Sequence, residues 1–151
     1  MVSFLRWGLY LVLLTPLLYQ PASLFPFITI KIIVFQALIE ILAAAYLALI
    51  IFQPQYRPKF TPLVISFTIL VLALLLTGLT SVDWQNSFWS VPERGIGIFT
   101  IIHFWLFFLM LVSLRKEIDW QKFLTFSFIV SLLAAVSIFI FCLATHAATG
   151  A

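Results

Sequence analysis

Residues 61–80 read TPLVISFTILVLALLLTGLT, and this stretch decides the fold because it contains no charged side chain. A helix that crosses the hydrocarbon core of a bilayer needs about 20 mainly apolar residues, which is the length of this stretch. Its apolar run is continuous rather than alternating, and this favours a helix over a strand of a membrane barrel. Pro62 falls in the first turn, where the missing N–H of a proline costs little. The stretch therefore predicts a membrane-spanning helix.

The composition of the whole chain points the same way. Of its 151 residues, 64% are hydrophobic and only 9% are charged, whereas soluble domains carry about 25% charged residues. A chain this short could not bury so much apolar surface in a single core, but in a bilayer the outer surface faces hydrocarbon. The seventeen Phe suit lipid-facing surfaces and the five Trp suit the interfaces. The composition therefore excludes a soluble domain.

Four further apolar segments flank this stretch, two before it and two after it. The five predicted helices are residues 4–19, 28–52, 61–80, 95–114 and 123–144. We expect an all-α fold, a polytopic transmembrane bundle that forms one region over residues 1–151. The first segment also has features of a signal peptide, with residues 1–6 as the charged part and 7–18 as the apolar part. The residues after it lack a clean small-x-small cleavage site.

The Lys and Arg residues near the segment ends predict the orientation, because cytoplasmic loops carry an excess of them. With a cytoplasmic N-terminus, six lie inside: Arg6, Arg57, Lys59, Arg115, Lys116 and Lys122. Only Lys31 and Arg94 then lie toward the outside. We therefore expect the loop of residues 81–94, and His146 near the C-terminus, on the outer side.

Several classes of ligand are excluded by the sequence. The net charge is +3, but the basic residues form neither a run nor a stripe, so nucleic acid is not expected as a partner. The single cysteine, Cys142, lies in an apolar segment, which leaves no disulfide framework and no cysteine metal cluster. The two histidines lie far apart in the sequence, so no metal site is expected.

Glu40 and His103 are ionisable residues inside predicted helices, where a charge costs about 2.5–3.5 kcal/mol on insertion scales. Glu40 lies nine residues after Lys31, and His103 lies nine residues after Arg94. Nine residues rise about 13.5 Å, so we expect Glu40 and His103 at similar depth, facing each other. Gln36 and Ala44 share the face of Glu40, one turn to either side. A purely structural carboxyl is the alternative role for Glu40.

The loop of residues 81–95 carries the most informative pattern. Its two tryptophans are typical of a membrane-interface belt. Pro92 and Gly95 bracket Glu93-Arg94 at the start of a predicted helix. A helix N-terminus with a guanidinium beside it favours a phosphate group. The alternative is that Glu93 and Arg94 form a plain interfacial anchor.

The spacing of these motifs resembles a known family. The chain has a helix with Lys31 and Glu40, the turn Arg57-Pro58-Lys59, and Ser87-Phe88-Trp89 followed by Glu93-Arg94, Gly97 and His103. In this combination it resembles the N-terminal third of bacterial O-antigen ligase and polymerase proteins. The resemblance covers residues 24–130, and the Ser-Phe-Trp to Glu-Arg loop is its distinctive part.

The resemblance implies a multi-spanning glycosyltransferase that moves a glycan from a polyprenyl-diphosphate carrier onto an acceptor, at the outer face of the bacterial inner membrane. It implies no metal and no other cofactor. The catalytic Arg and His residues of the family lie mainly in a large outer loop farther along, which these 151 residues do not include. We therefore expect the N-terminal part of a longer protein, partnered by C-terminal helices and the lipid bilayer and inactive alone.

Within this interpretation the catalytic residues are not assigned, and the candidate substrate-binding residues are Arg94, Lys31, Glu93, His103 and Glu40. One alternative is a small non-enzymatic membrane protein or a subunit of a membrane complex. Another is part of a transporter, with Glu40 and His103 as a proton path. A transporter would be expected to have broken helices with paired Gly or Pro near the midplane, and the sequence shows no such pair.

Overall fold

The computed structural model describes residues 1–18, 28–90 and 97–149, with residues 144–149 described by their backbone alone. These residues form helices and no strand, as predicted. The six α-helices are α1 (Val2–Leu13), α2 (Thr29–Phe52), α3 (Pro62–Leu79), α4 (Trp84–Trp89), α5 (Ile98–Ser113) and α6 (Trp120–Thr149). Short 3-10 helices follow α1 at Thr15–Leu17 and α2 at Pro54–Tyr56.

Three of the described helices are long and apolar enough to cross a membrane. They are Thr29–Phe52, Pro62–Leu79 and Trp120–Leu143 within α6. Two shorter apolar helical segments, Val2–Leu17 and Ile98–Ser113, accompany them. These apolar helices indicate a membrane protein.

Each of the five predicted segments contains a helix, but the ends differ for local reasons. The first α-helix ends at Leu13 because Pro16 follows, and a proline ring clashes with the carbonyl four residues earlier. The Thr15 hydroxyl donates to the Val12 carbonyl oxygen at 2.8 Å at this end. The last helix begins at Trp120 rather than at residue 123, because the Asp119 carboxylate accepts from the Lys122 backbone N–H at 3.3 Å.

The expectation that residues 81–94 form only a loop is wrong for its first half, where α4 lies. Asp83 caps this short helix, since its Oδ1 accepts from the Asn86 backbone N–H at 3.1 Å. The Ser87 hydroxyl also donates to the Ser81 Oγ across 2.8 Å. Local polar contacts thus hold this helix, which lacks the long apolar run from which the other helices were predicted.

The long helices alternate in direction. Helix α1 runs against α2, since Gly8 packs on Leu42 while the end of α1 lies beside the start of α2. Helix α3 runs against α5, because Gly78 near the end of α3 meets Ile98 at the start of α5. Helix α6 runs parallel to α1, and its Phe123 ring packs edge-on to Tyr10 with centroids 5.2 Å apart. Successive long helices along the chain therefore run in opposite directions, while α2 packs parallel to α5 and α1 parallel to α6.

The core lies where α1, α2 and the end of α5 meet. Helix α1 contributes residues spaced by three and four, and α2 contributes a longer stripe of the same period, which is the pattern of a helix buried on one face. The buried apolar residues of these two stripes are Leu5, Leu9, Val12, Phe35, Ile39, Leu42, Tyr46 and Leu49. The cluster is completed by Met110 of α5, by Leu114 and Ile118 between α5 and α6, and by Phe123 of α6. The core thereby fixes α2 and α5 side by side.

Candidate functional site

Two polar contacts join α2 to α5 on successive turns. The Gln36 amide Nε2 donates to Thr100 Oγ1 at 3.0 Å, and one turn further along His103 Nε2 lies 3.3 Å from Glu40 Oε1. Residues four apart on α2 and three apart on α5 share a face, so both contacts lie in one interface. Both helices run in the same direction here. The prediction that Glu40 and His103 face each other at similar depth is confirmed.

The backbone of α5 fixes the tautomer of His103. Its Nδ1 lies 2.7 Å from the Phe99 carbonyl oxygen, which can only accept a hydrogen bond. Nδ1 therefore carries a hydrogen, and the contact at Nε2 requires one further proton. That proton lies either on the Glu40 carboxyl, which then donates to Nε2, or on Nε2, which then donates to the carboxylate. The pair is electrically neutral in both arrangements, which suits a medium of low dielectric constant.

The two partners differ in exposure. The His103 side chain is 4% exposed, whereas the Glu40 side chain is 61% exposed. The stripe of Gln36, Glu40 and Ala44 faces α5 only in part, because Ala44 is exposed. Glu40 therefore lies at the edge of the interface, where its carboxyl can contact a further molecule while it holds His103.

Aromatic rings connect the interhelical pair to the Ser87-Phe88-Trp89 motif. Phe99 packs edge-on against the His103 ring with centroids 4.5 Å apart. On its other side Phe99 contacts Phe88 at 5.8 Å and Trp89 at 5.1 Å between centroids. Helix α4 therefore covers the start of α5, and Phe99 lies between the motif and His103 in contact with both.

Gly97 permits this close approach of α4 to α5. A Cβ atom at this position would overlap the backbone at the end of α4, namely the Phe88 carbonyl oxygen, the Trp89 carbonyl carbon and the Ser90 amide nitrogen. Backbone atoms cannot rotate away as a flexible side chain can. Position 97 therefore requires a glycine because of this close contact, and not because of its φ of −92°, which any residue can adopt.

A second feature of the site is an apolar cavity of about 550 Å³ between α2, α5, α6 and the end of α1. Phe35, Phe104 and Phe107 supply much of its wall, and Lys31 supplies its cationic side chain. Thr100 also lines the cavity and accepts from Gln36, so the cavity adjoins the polar contacts between α2 and α5. Its volume lies in the range of roughly 300–1,000 Å³ that is typical of small-molecule sites.

The remaining candidate residues are only partly accounted for. Glu93 and Arg94 lie outside the described residues. Lys31 lines the cavity, while Glu40 and His103 do not, so the structure brings Glu40 to His103 but separates both from Lys31. Sequence reasoning missed Thr100, although its position one turn before His103 on the same face would have indicated it. Over the described residues, no group of three potential ligands could hold a metal ion.

Comparison with protein-family models, with curated proteins and with solved structures finds no match to this chain.

Proposed function

We propose that the chain forms the N-terminal membrane portion of an O-antigen ligase- or polymerase-like glycosyltransferase, which transfers a polyprenyl-diphosphate-linked glycan. The observation that carries the proposal is the apolar cavity with Lys31 in its lining, beside the polar contacts of Gln36 and Glu40 with α5. A carrier lipid has the matching parts, an apolar chain next to a diphosphate and a polar glycan. The glycan-transfer reaction is proposed from the resemblance of the loop motif to that family.

The proposed arrangement has five membrane crossings with a cytoplasmic N-terminus, in the bacterial inner membrane. The alternating directions of α1, α2, α3, α5 and α6 support it, since each connection would return the chain to the opposite face. The six cations expected inside line two cavities that share Glu117, and these support the orientation because cytoplasmic ends carry the excess of Lys and Arg. Lys31 and the cavity then lie toward the outer leaflet.

In this proposal the polyprenyl chain occupies the apolar cavity, and the Lys31 ammonium contacts the diphosphate. Arg94 and Glu93, which lie outside the described residues, stay candidate contacts of the diphosphate on the strength of the loop motif alone. Deeper between the helices, the exposed Glu40 carboxyl would contact polar groups of the substrate or of further helices, while the buried His103 would hold that carboxyl in place. The family's large catalytic loop has no counterpart in these 151 residues, so the chain alone would bind the carrier without transferring the glycan.

A binding experiment tests the carrier site directly. The purified chain in detergent is titrated with a long-chain polyprenyl diphosphate, with the corresponding polyprenol and with inorganic diphosphate. We expect the polyprenyl diphosphate to bind most tightly and Lys31→Gln to weaken it about fivefold or more, as expected for one cation–phosphate contact of about 1 kcal/mol. Binding of the polyprenol should be unchanged in that variant. Arg6→Gln, which removes a cation from outside this cavity, serves as the matched control.

Equal binding of the polyprenyl diphosphate by the wild type and by Lys31→Gln would overturn the assignment of Lys31. Absence of binding by the folded wild-type chain would favour the alternative, a non-enzymatic membrane protein or a subunit of a membrane complex. A glycan-transfer assay that compares the chain with an extended version would then test the reaction, and turnover by the 151-residue chain would contradict its dependence on the missing loop.

A further inference from the structure

A separate cavity lies at the other end of the bundle, between the connection from α2 to α3 and the connection from α5 to α6. Its volume is about 210 Å³. At roughly 30 Å³ for each molecule of liquid water, this would hold a phosphate group with its nearest waters. Four cationic side chains line it: Arg57, Lys59, Arg115 and Lys116. Thr61 and Ser113 add hydroxyl groups to the same wall.

Hydrogen bonds fix the two connections against each other. The buried Tyr46 hydroxyl donates to the Tyr56 carbonyl oxygen at 3.3 Å. Because this uses its only hydrogen, the contact of 2.7 Å with Ser113 Oγ must be donated by the serine. The Tyr56 hydroxyl then donates to Glu117 Oε1 at 3.2 Å. Hydrogen bonds therefore hold the two connections that form the wall of the cavity in a fixed relative position.

The positive charge of this cavity is largely uncompensated. Glu117 is the only acidic residue in its lining, and Glu117 accepts from Tyr56, whose pKa is raised first by desolvation and then by this carboxylate. In the described part of the chain, none of the four cations forms a salt bridge. Thr61 is the N-cap of α3, so the positive end of that helix dipole faces the same region. The lining thus favours an anion.

The surroundings favour an anion that carries an apolar chain. Helix α2 ends at Phe52 and α3 begins at Pro62, and both are of membrane-spanning length, so the cavity lies at the level of the lipid headgroups. Phe52 at the end of α2 is 78% exposed, and Phe60, which lies between the lining residues Lys59 and Thr61 in the sequence, is 83% exposed. An acyl chain would cover these rings while the phosphate contacts the cations. A free phosphate ion would contact neither aromatic side chain.

We propose that this cavity binds the headgroup phosphate of an anionic phospholipid, with the acyl chains packed along the ends of α2 and α3. Basic pockets between transmembrane helices bind such headgroups in other membrane proteins. The site is independent of glycan transfer, since it lies at the opposite end of the bundle from Lys31 and its cavity.

The test is native mass spectrometry of the purified full chain, titrated with phosphatidylglycerol, with phosphatidylcholine and with inorganic phosphate. We expect selective retention of phosphatidylglycerol, and a loss of affinity of about tenfold or more in Arg57→Gln/Arg115→Gln, since each basic residue near the headgroups contributes about a fivefold effect. The matched control is Arg6→Gln/Lys122→Gln, which removes the same charge from the neighbouring cavity. Circular dichroism checks that each variant is folded.

Three further results decide the matter. Lys59→Gln/Lys116→Gln changes the other two cations, so it should reproduce the loss even if the first variant fails to fold. Equal losses in a cavity variant and in the Arg6/Lys122 control would overturn the proposal, because net charge alone would then explain binding. Displacement of the lipid by inorganic phosphate at equal concentration would overturn the lipid as the source of the anion.

Discussion

His103 Nε2 lies 3.3 Å from Glu40 Oε1, between two helices that run in the same direction. Because the Phe99 carbonyl fixes the hydrogen on Nδ1, the contact requires a proton that either partner can hold. The buried imidazole thus depends on an exposed carboxyl for its second hydrogen bond. The relationship makes Glu40 a positioning residue for His103 and leaves part of its carboxyl accessible.

The first prediction concerns this contact. Glu40→Leu leaves His103 Nε2 without a partner, whereas Glu40→Gln keeps a side-chain N–H that can donate to it. Interhelical hydrogen bonds in membrane proteins contribute about 0.6–2 kcal/mol, so we expect Glu40→Leu to cost about 1 kcal/mol more than Glu40→Gln. Reversible unfolding in mixed micelles measures both, and Ala44→Leu controls for added apolar volume on the same face. Equal stability of the two Glu40 variants would contradict the contact.

The second prediction concerns topology. In a background with Cys142 replaced by serine, single cysteines at Gln55 and Lys116 should react only with a reagent that has access to the cytoplasm. A cysteine at Val82, which is fully exposed before α4, should react from the outside. The reason is the excess of Lys and Arg at the end of the bundle that carries the α2–α3 and α5–α6 connections. Labelling of position 55 from outside intact cells would show that the orientation is wrong.

The sequence was sufficient to predict the apolar helices and the one long-range contact that depends on depth. Counting nine residues from Lys31 to Glu40 and from Arg94 to His103 gives depth because a helix rises by a constant amount per residue. It does not give the partner of Tyr46, whose hydroxyl contacts Ser113 across 67 positions of sequence. Such a contact depends on which helix packs beside α2, and periodicity alone does not specify that.

The arrangement of α4 was beyond the sequence for a different reason. Polar contacts of Asp83 and packing on Phe99 hold its six residues in place. Neither kind of contact leaves a long apolar run in the sequence, which is the pattern that predicts the other helices. Helix α4 ends at Trp89, and the next residue, Ser90, has a φ of 66°, a conformation that residues other than glycine rarely adopt. A serine there gave no signal of a left-handed residue, so the turn toward α5 could not be predicted.

The third prediction tests the close approach of α4 to α5. Gly97→Ala should displace α4, because the new methyl group would overlap backbone atoms that cannot rotate away. We expect a loss of about 1–3 kcal/mol, as for overpacking of a core, together with a change in Trp89 fluorescence. Gly8→Ala is the matched control, since the three atoms nearest to its methyl group belong to the Leu42 side chain rather than to backbone, and alanine is the better helix former. Gly97→Ala with unchanged stability and fluorescence would contradict this packing.

The fourth prediction concerns the start of α6. The hydrogen bond from the Lys122 ammonium, 3.1 Å from Asp119 Oδ2, lowers the pKa of the Asp119 carboxyl below 3.8, and the Lys122 backbone N–H adds to the effect. Lys122→Ala removes the larger cause and keeps the backbone donor, so the pKa should rise toward its usual value. A ¹³C NMR titration of the carboxyl in micelles measures this shift. Lys116→Ala, which removes a cation that makes no contact with Asp119, should leave the titration unchanged.

The same shift sets a direction for stability. Because the pKa of Asp119 is lower in the folded chain, its stabilising contribution is complete above the unfolded value of about 3.9 and is lost as the pH falls through the folded value. Asp119→Asn should therefore flatten the acid limb of the unfolding midpoint against pH below about pH 4 and leave its shape near neutrality unchanged. Both groups are exposed, so the effect should be small and should weaken with added salt. An acid limb that is equally steep in Asp119→Asn and in the wild type would show that this pair does not help to fix the start of α6.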